Sequence, residues 1–337
     1  MHDFSPLATV TRDGVVESTH LGDIVVCDSD GRIVASLGDP GRVAYYRSSG
    51  KPLQALGIVQ SGAAEQFSLT DTELAVCCAS HSGSRMHVLT VRGILDKLGL
   101  DHEALSCGIH TPGDADEQAW LIREGQGPSP LHNNCSGKHA GMLATALALG
   151  ARVEGYLLPE HPVQKLINRN LELATGLPRE RFHFGADGCG APTVAIPLQA
   201  IATSFARLAN PQDMPDDFRG AAERIMAAMA IAPDFVSAPG AFNSELLSAG
   251  EGRIAAKAGA EGLFALGARD PRCLGIAMKL ADGSSRAQPP AIMRVMDHYG
   301  LLSPGAQQRL DRFYRPTVTN CHGQAVGAIE PVFELHG

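Results

Sequence analysis

Strand-forming segments stand at both ends of this chain and helix-forming segments fill its middle, an order that sharply limits the folds open to it. Near the start, residues 23–27 and 32–36 are rich in Val and Ile and flank Asp28-Ser29-Asp30-Gly31, a hairpin signal. Strand character returns at 253–257, 262–265 and 274–280, and once more at 325–334. Between about residues 50 and 250 the apolar period becomes helical. Thr70-x-x-Glu73 has the form of a capping box. Val88, Val91, Leu95 and Leu98 share a helical face that Gly99 closes; Val163, Leu166, Ile167, Leu171 and Ala174 share another that Gly176 closes. Residues 137–149 are apolar nearly all round, which predicts a buried central helix. Further helices are expected at about 197–208, 216–231 and 289–299, with 209–215 a loop too short to separate domains. Regular βαβ alternation is missing, which argues against a doubly wound parallel sheet. The expectation is a mixed α+β chain: one domain over 1–337, an antiparallel sheet built from both ends, and flanking helices.

Composition narrows the function classes. The 337 residues are 44% hydrophobic and 19% charged, ordinary for a globular chain with a large core. Against 28 Lys and Arg stand 36 Asp and Glu, so the surplus of positive charge that nucleic acid or an anionic membrane would need is absent. The longest apolar stretches, such as 142–150, are about half of a bilayer span. Met1-His2-Asp3-Phe4-Ser5-Pro6 has neither the basic nor the apolar region of a secretory leader, so a cytoplasmic protein is expected. Eight scattered cysteines without a Cys-x-x-Cys read as reduced thiols, some of them candidate metal ligands.

Only six basic residues are lysine, and three of these sit in Gly-flanked, uncharged surroundings. Arg47-Ser48-Ser49-Gly50-Lys51-Pro52 opens a helix with Pro in its first turn. Ser48 and Lys51, three apart, fall on one face, and a neutral lysine beside a serine can take its proton. At this composition the spacing alone is ordinary. Lys257-Ala258-Gly259 follows a strand-like run, as a Lys-x-Gly partner does in Ser-x-x-Lys enzymes. Cys77-Cys78-Ala79-Ser80-His81-Ser82-Gly83-Ser84 ends a capped helix in a turn that could aim hydroxyls and N–H groups at a small polar substrate. His132-Asn133-Asn134-Cys135-Ser136-Gly137-Lys138-His139-Ala140-Gly141 leads into the apolar helix. It is no P-loop, for His132 and His139 occupy the positions where Gly and Ser/Thr are required. Gly185-Ala186-Asp187-Gly188-Cys189-Gly190-Ala191-Pro192 is a second Gly-rich turn. Two thiolates plus a nitrogen suit zinc, and buried free cysteines are the other reading.

Together these segments resemble the third, Rhizobium-type class of bacterial L-asparaginases. The resemblance covers nearly the whole chain and includes Lys257-Ala258-Gly259-Ala260-Glu261-Gly262. It implies a fold similar to glutaminases and serine β-lactamases, a homodimer, and two serine–lysine tandems, Ser48 with Lys51 and Ser80 with Lys257. It also implies a zinc ion held by Cys135, Lys138 and Cys189, with water completing the shell. Arg47, Asn133, His139 and Asp187 are weaker candidates for substrate contact or support. The expected activity is hydrolysis of L-asparagine to L-aspartate and ammonia through an acyl-enzyme. A glutaminase or other Ser-x-x-Lys amidohydrolase, or a non-catalytic zinc-stabilised binding protein, are the competing readings.

Overall fold

The computed structural model describes residues 4–269 and 271–335; Met1, His2 and Asp3 of the opening segment lie outside them. Its strands, in chain order, are β1 (Ser5–Arg12), β2 (Val15–Cys27), β3 (Ile33–Leu37), β4 (Val43–Tyr45), β5 (His183–Ala186), β6 (Pro192–Pro197), β7 (Ile254–Ala258), β8 (Leu263–Ala268), β9 (Leu274–Leu280), β10 (Thr317–Thr319) and β11 (Ala325–Pro331). The chain divides into two compact units. One comprises the residues up to Ser49, Ala195–Asn210 and those from Ala249 onward; the other comprises Gly50–Val194 and Pro211–Ser248.

The first unit is built on an antiparallel sheet of order β10-β11-β1-β2-β9-β8-β7, with β3 also paired to β2. Both chain ends enter it, as the strand pattern predicts. Asp13 and Gly14, both at positive φ, make the tight turn between β1 and β2. Ile24 to Cys27 are buried without alternation, so the sheet is covered on both faces there. The helix Leu198–Ala209 packs on β2, β8 and β9. Gly267 and Gly275, paired across β8 and β9, admit it: a Cβ at either would lie about 2 Å from the carbonyl of Phe205 or Ala202. A second helix, Gln288–His298, lies on β1, β9 and β11. β7 is the sheet's outer strand, and Lys257 opposes Ala265 in its register. The 195–197 end of β6 pairs antiparallel with β4.

The second unit is helical. At its centre Ser136–Ala148 is surrounded by Lys51–Gln60, Asp71–Cys77, Arg85–Leu98 and Pro162–Thr175, which accounts for its apolar character on every side. Every residue from Ser136 to Ala146 is buried. The Thr70–Glu73 capping box forms, and Gly99 and Gly176 end their helices in the left-handed conformation. Residues 210–215 are a loop and turn, one residue shorter than the 209–215 loop expected from the sequence, because the helix runs through Ala209.

Candidate active site

In the second unit, two glycines draw the catalytic candidates together. A Cβ at Gly137 would sit 2.1 Å from Val76 O, and one at Gly141 would sit 2.6 Å from Ile58 Cδ1 and 3.0 Å from Cys77 Sγ. The first turn of Ser136–Ala148 therefore lies directly on the end of Asp71–Cys77, from which the Ala79–Ser80 segment continues. Lys51, at the start of its own helix and 1% exposed, reaches into this junction. Its Nζ donates to Ala79 O at 2.5 Å, to Ser80 Oγ at 3.0 Å and to Asn134 O at 3.5 Å.

His81 stiffens the same turn. Gly83 N–H donates to its Nδ1 at 3.1 Å, so Nε2 carries the proton and donates to Ser136 Oγ at 2.9 Å; that hydroxyl in turn donates to Leu131 O. Burial, reinforced by His87 and Lys51, holds His81 well below the usual imidazole range. Asn133 spends its whole carboxamide on the backbone. Its Nδ2 donates to Cys107 O and Gly108 O, and its Oδ1 accepts from Cys135 N–H. It shapes the loop.

Cys135, Lys138 and Cys189 lie close together. Lys138 Nζ donates to Cys189 Sγ at 3.0 Å, and all three residues are buried. The Cys189 thiol hydrogen-bonds to Cys135 and, with the charges of Lys51 and Lys138, lowers the Cys135 pKa against the opposing effect of burial. Cys189, as the donor, is pushed up. Burial disfavours the Lys138 ammonium, but the two neighbouring sulfurs outweigh it and raise the group. Two sulfurs and an amine nitrogen within hydrogen-bonding reach form a donor set that fits zinc once the ion displaces the thiol and ammonium protons. Cys189 owes its placement to the turn after β5, where Gly190 at φ +79° donates to Asp187 O and Asp187 N–H donates to Ala191 O. His139 accepts from Tyr156 OH at 2.6 Å through Nδ1, while Tyr156 OH accepts from Ser106 N–H. Its buried Nε2 has no hydrogen-bond partner among the described residues.

The first unit carries the remaining candidates. The segment expected to open as a helix starts with a 3-10 turn, Arg47–Gly50, and the α-helix begins at Lys51. Arg47 takes φ +49°, a strained backbone for a residue with a side chain. Ser48 is half-buried, whereas Ser49 is fully buried and donates to Tyr46 O at 2.7 Å. Tyr46 is pinned through its hydroxyl to Ser204. Lys257 is 2% exposed and donates to Ala258 O. Gly259, just past β7, would place a Cβ 2.9 Å from Tyr46 O and 3.4 Å from Ser49 N, so the Lys-x-Gly strand end abuts the turn that holds Ser48.

The pairing of Lys51 with Ser80 is not visible in the spacing, which points only to Ser48. The Tyr156–His139 contact and the role of Tyr46 are likewise unmarked in sequence, since their partners are remote along the chain.

Among solved structures, the chain is similar to Mglu in its native form, at 14% identity and a TM-score of 0.47, over 83% of this chain and 64% of that one. The same protein in 4.3 M NaCl gives 14% identity and a TM-score of 0.45, over 83% and 61%. The Bacillus subtilis glutaminase YbgJ, in covalent complex with 5-oxo-L-norleucine, gives 14% and 0.39, over 83% and 88%. The chain thus spans less than two thirds of the length of Mglu. No curated protein matches it. Residues 8–331, which contain every motif from Arg47 to Gly262, match the family model described as L-asparaginase II, and the chain belongs to that family.

Proposed function

We propose that this amidohydrolase-family chain is an L-asparagine amidohydrolase working through an acyl-enzyme on Ser48. The observation that carries the reading is Lys51 Nζ, buried between two carbonyls and the Ser80 hydroxyl. On giving up one proton, Lys51 would keep two N–H donors for Ala79 O and Asn134 O and turn its lone pair to a serine hydroxyl. Ser48 would attack the side-chain carboxamide carbon while its proton passes to Lys51. Ser80 and Lys257, the second pair, would deliver a proton to the departing ammonia. Water then adds to the β-aspartyl ester by the same route in reverse, releasing aspartate and free Ser48. Asp187, Arg47 and His139 are assigned to substrate contact or its support.

Cys135, Lys138 and Cys189 would hold zinc. When bound, the ion supplies a fixed positive charge that orients the substrate, as serine and lysine already provide nucleophile and base. The working form proposed is a cytoplasmic homodimer. Ammonia release from L-asparagine and L-glutamine, measured side by side on the purified chain, tests the substrate. A higher kcat/KM for asparagine supports the reading; preference for glutamine makes the chain a glutaminase, and no release from either makes it a binding protein.

A further inference from the structure

We propose that Ser84 and His87 form a second nucleophile–base pair in this protein, able to accept acyl groups from small aryl esters. Ser84 precedes the helix Arg85–Leu98 in the position where a serine side chain ordinarily accepts from a first-turn N–H, and here that cap bond is not made. Instead Ser84 Oγ lies 2.7 Å from His87 Nδ1. His87 Nε2 donates to Asp234 O at 2.9 Å, which fixes the tautomer and leaves Nδ1 as the acceptor of the serine proton. The ring is fully buried, stacked on His81 and edge-on to Phe235, and burial keeps it below the usual imidazole range. Nucleophile, base and orienting acceptor are thus in line.

Ser84 opens onto a cavity of about 510 Å³ that Arg85, Met86, Glu117, Trp120 and Arg123 also line. The N–H groups of Arg85 and Met86 precede the first internal bond of the helix, Val88 N–H to Ser84 O, so they are available to an oxyanion. Trp120, with the Arg85 guanidinium 4.7 Å from its ring, offers an aromatic wall. Glu117 is 4% exposed, and its Oε1 has no hydrogen-bond partner among the described residues; it lies 3.4 Å from His132 Nε2. In the reaction, Ser84 Oγ bonds to the acyl carbon as the bond to the aryl oxygen breaks. The serine proton moves to His87 Nδ1 and on to the leaving phenoxide. Water then cleaves the acyl-serine by the same path, giving the acid and restoring Ser84.

The test uses phenylmethanesulfonyl fluoride on the full chain, with peptide mapping by mass spectrometry. Wild type should carry a sulfonyl adduct on Ser84, and His87→Gln should slow its formation about a hundredfold. Ser84→Ala should lose that adduct while still releasing ammonia from asparagine, and a Ser48→Ala background should retain p-nitrophenyl acetate hydrolysis that a further Ser84→Ala removes. Should His87→Gln fail to fold, Trp120→Ala serves: it should lose the preference of Ser84 for the aryl reagent over methanesulfonyl fluoride. An unlabelled Ser84 after prolonged exposure, or equal labelling in wild type and His87→Gln, would show a helix cap and overturn the proposal.

Discussion

Ser48 and Ser49 are neighbours with opposite circumstances, and the difference is testable one hydroxyl at a time. Ser49 is buried and committed to Tyr46 O; Ser48 is half-buried in the turn leading to Lys51. Ser48→Ala should lower kcat by at least about a thousandfold. Ser49→Ala should keep a readily measured rate and cost about 1 kcal/mol of stability, the usual value of one hydrogen bond. Steady-state ammonia assays with urea unfolding separate the two, and normal kcat in Ser48→Ala would remove it as nucleophile. The thiols allow a similar split. Cys135→Ala and Cys189→Ala should each abolish stoichiometric zinc by elemental analysis and raise KM for asparagine at least about tenfold, with residual turnover at high substrate. Zinc retained in both variants would place the ligands elsewhere.

At the scale of the element, the site depends on how closely Ser136–Ala148 approaches the end of Asp71–Cys77. The obstacle to a side chain at Gly137 is a backbone carbonyl, Val76 O, that cannot rotate away. Gly137→Ala should therefore cost about 3 kcal/mol or more, the upper end for overpacking, because one helix must shift. The shift would carry Lys138 and the preceding Cys135 with it, so kcat/KM should fall even where the protein remains folded. Gly188, in the turn that carries Cys189, provides the contrast. A Cβ there meets nothing within 4 Å, and Gly188→Ala should alter stability by less than about 0.5 kcal/mol. Urea titrations of the two variants check the pair; equal effects would mean that the helix junction tolerates displacement.

Over the whole molecule, the sequence reveals what local chemistry controls and little of what distant segments decide together. The Thr70–Glu73 box, the Gly99 and Gly176 caps and the sheet strands from both ends follow from short-range pattern. The short strands β4, β5 and β10 lack a long apolar period and go unmarked. In the site, the thiols and lysines are evident, but Lys51 meets Ser80 and Asn134 from 29 and 83 residues away, a relation that spacing cannot encode. Buried imidazoles make the same point, and their effect is global. His81, His87 and His139 are held below the ordinary imidazole value, chiefly by burial. Between that lowered value and about 6.5, the unfolded chain binds protons that the folded chain does not, so stability rises with pH in this window. The stabilisation is complete above about pH 6.5 and is lost as the pH falls below it, before most carboxylates titrate. Three such groups give a limiting slope of about 4.1 kcal/mol per pH unit, since each contributes about 1.4. Urea unfolding at pH 7.5, 6.5, 5.8 and 5.2 should show this decline, and His87→Gln should reduce its slope by about a third. Stability unchanged from pH 7.5 to 5.2 would mean that all three rings accept protons within the fold.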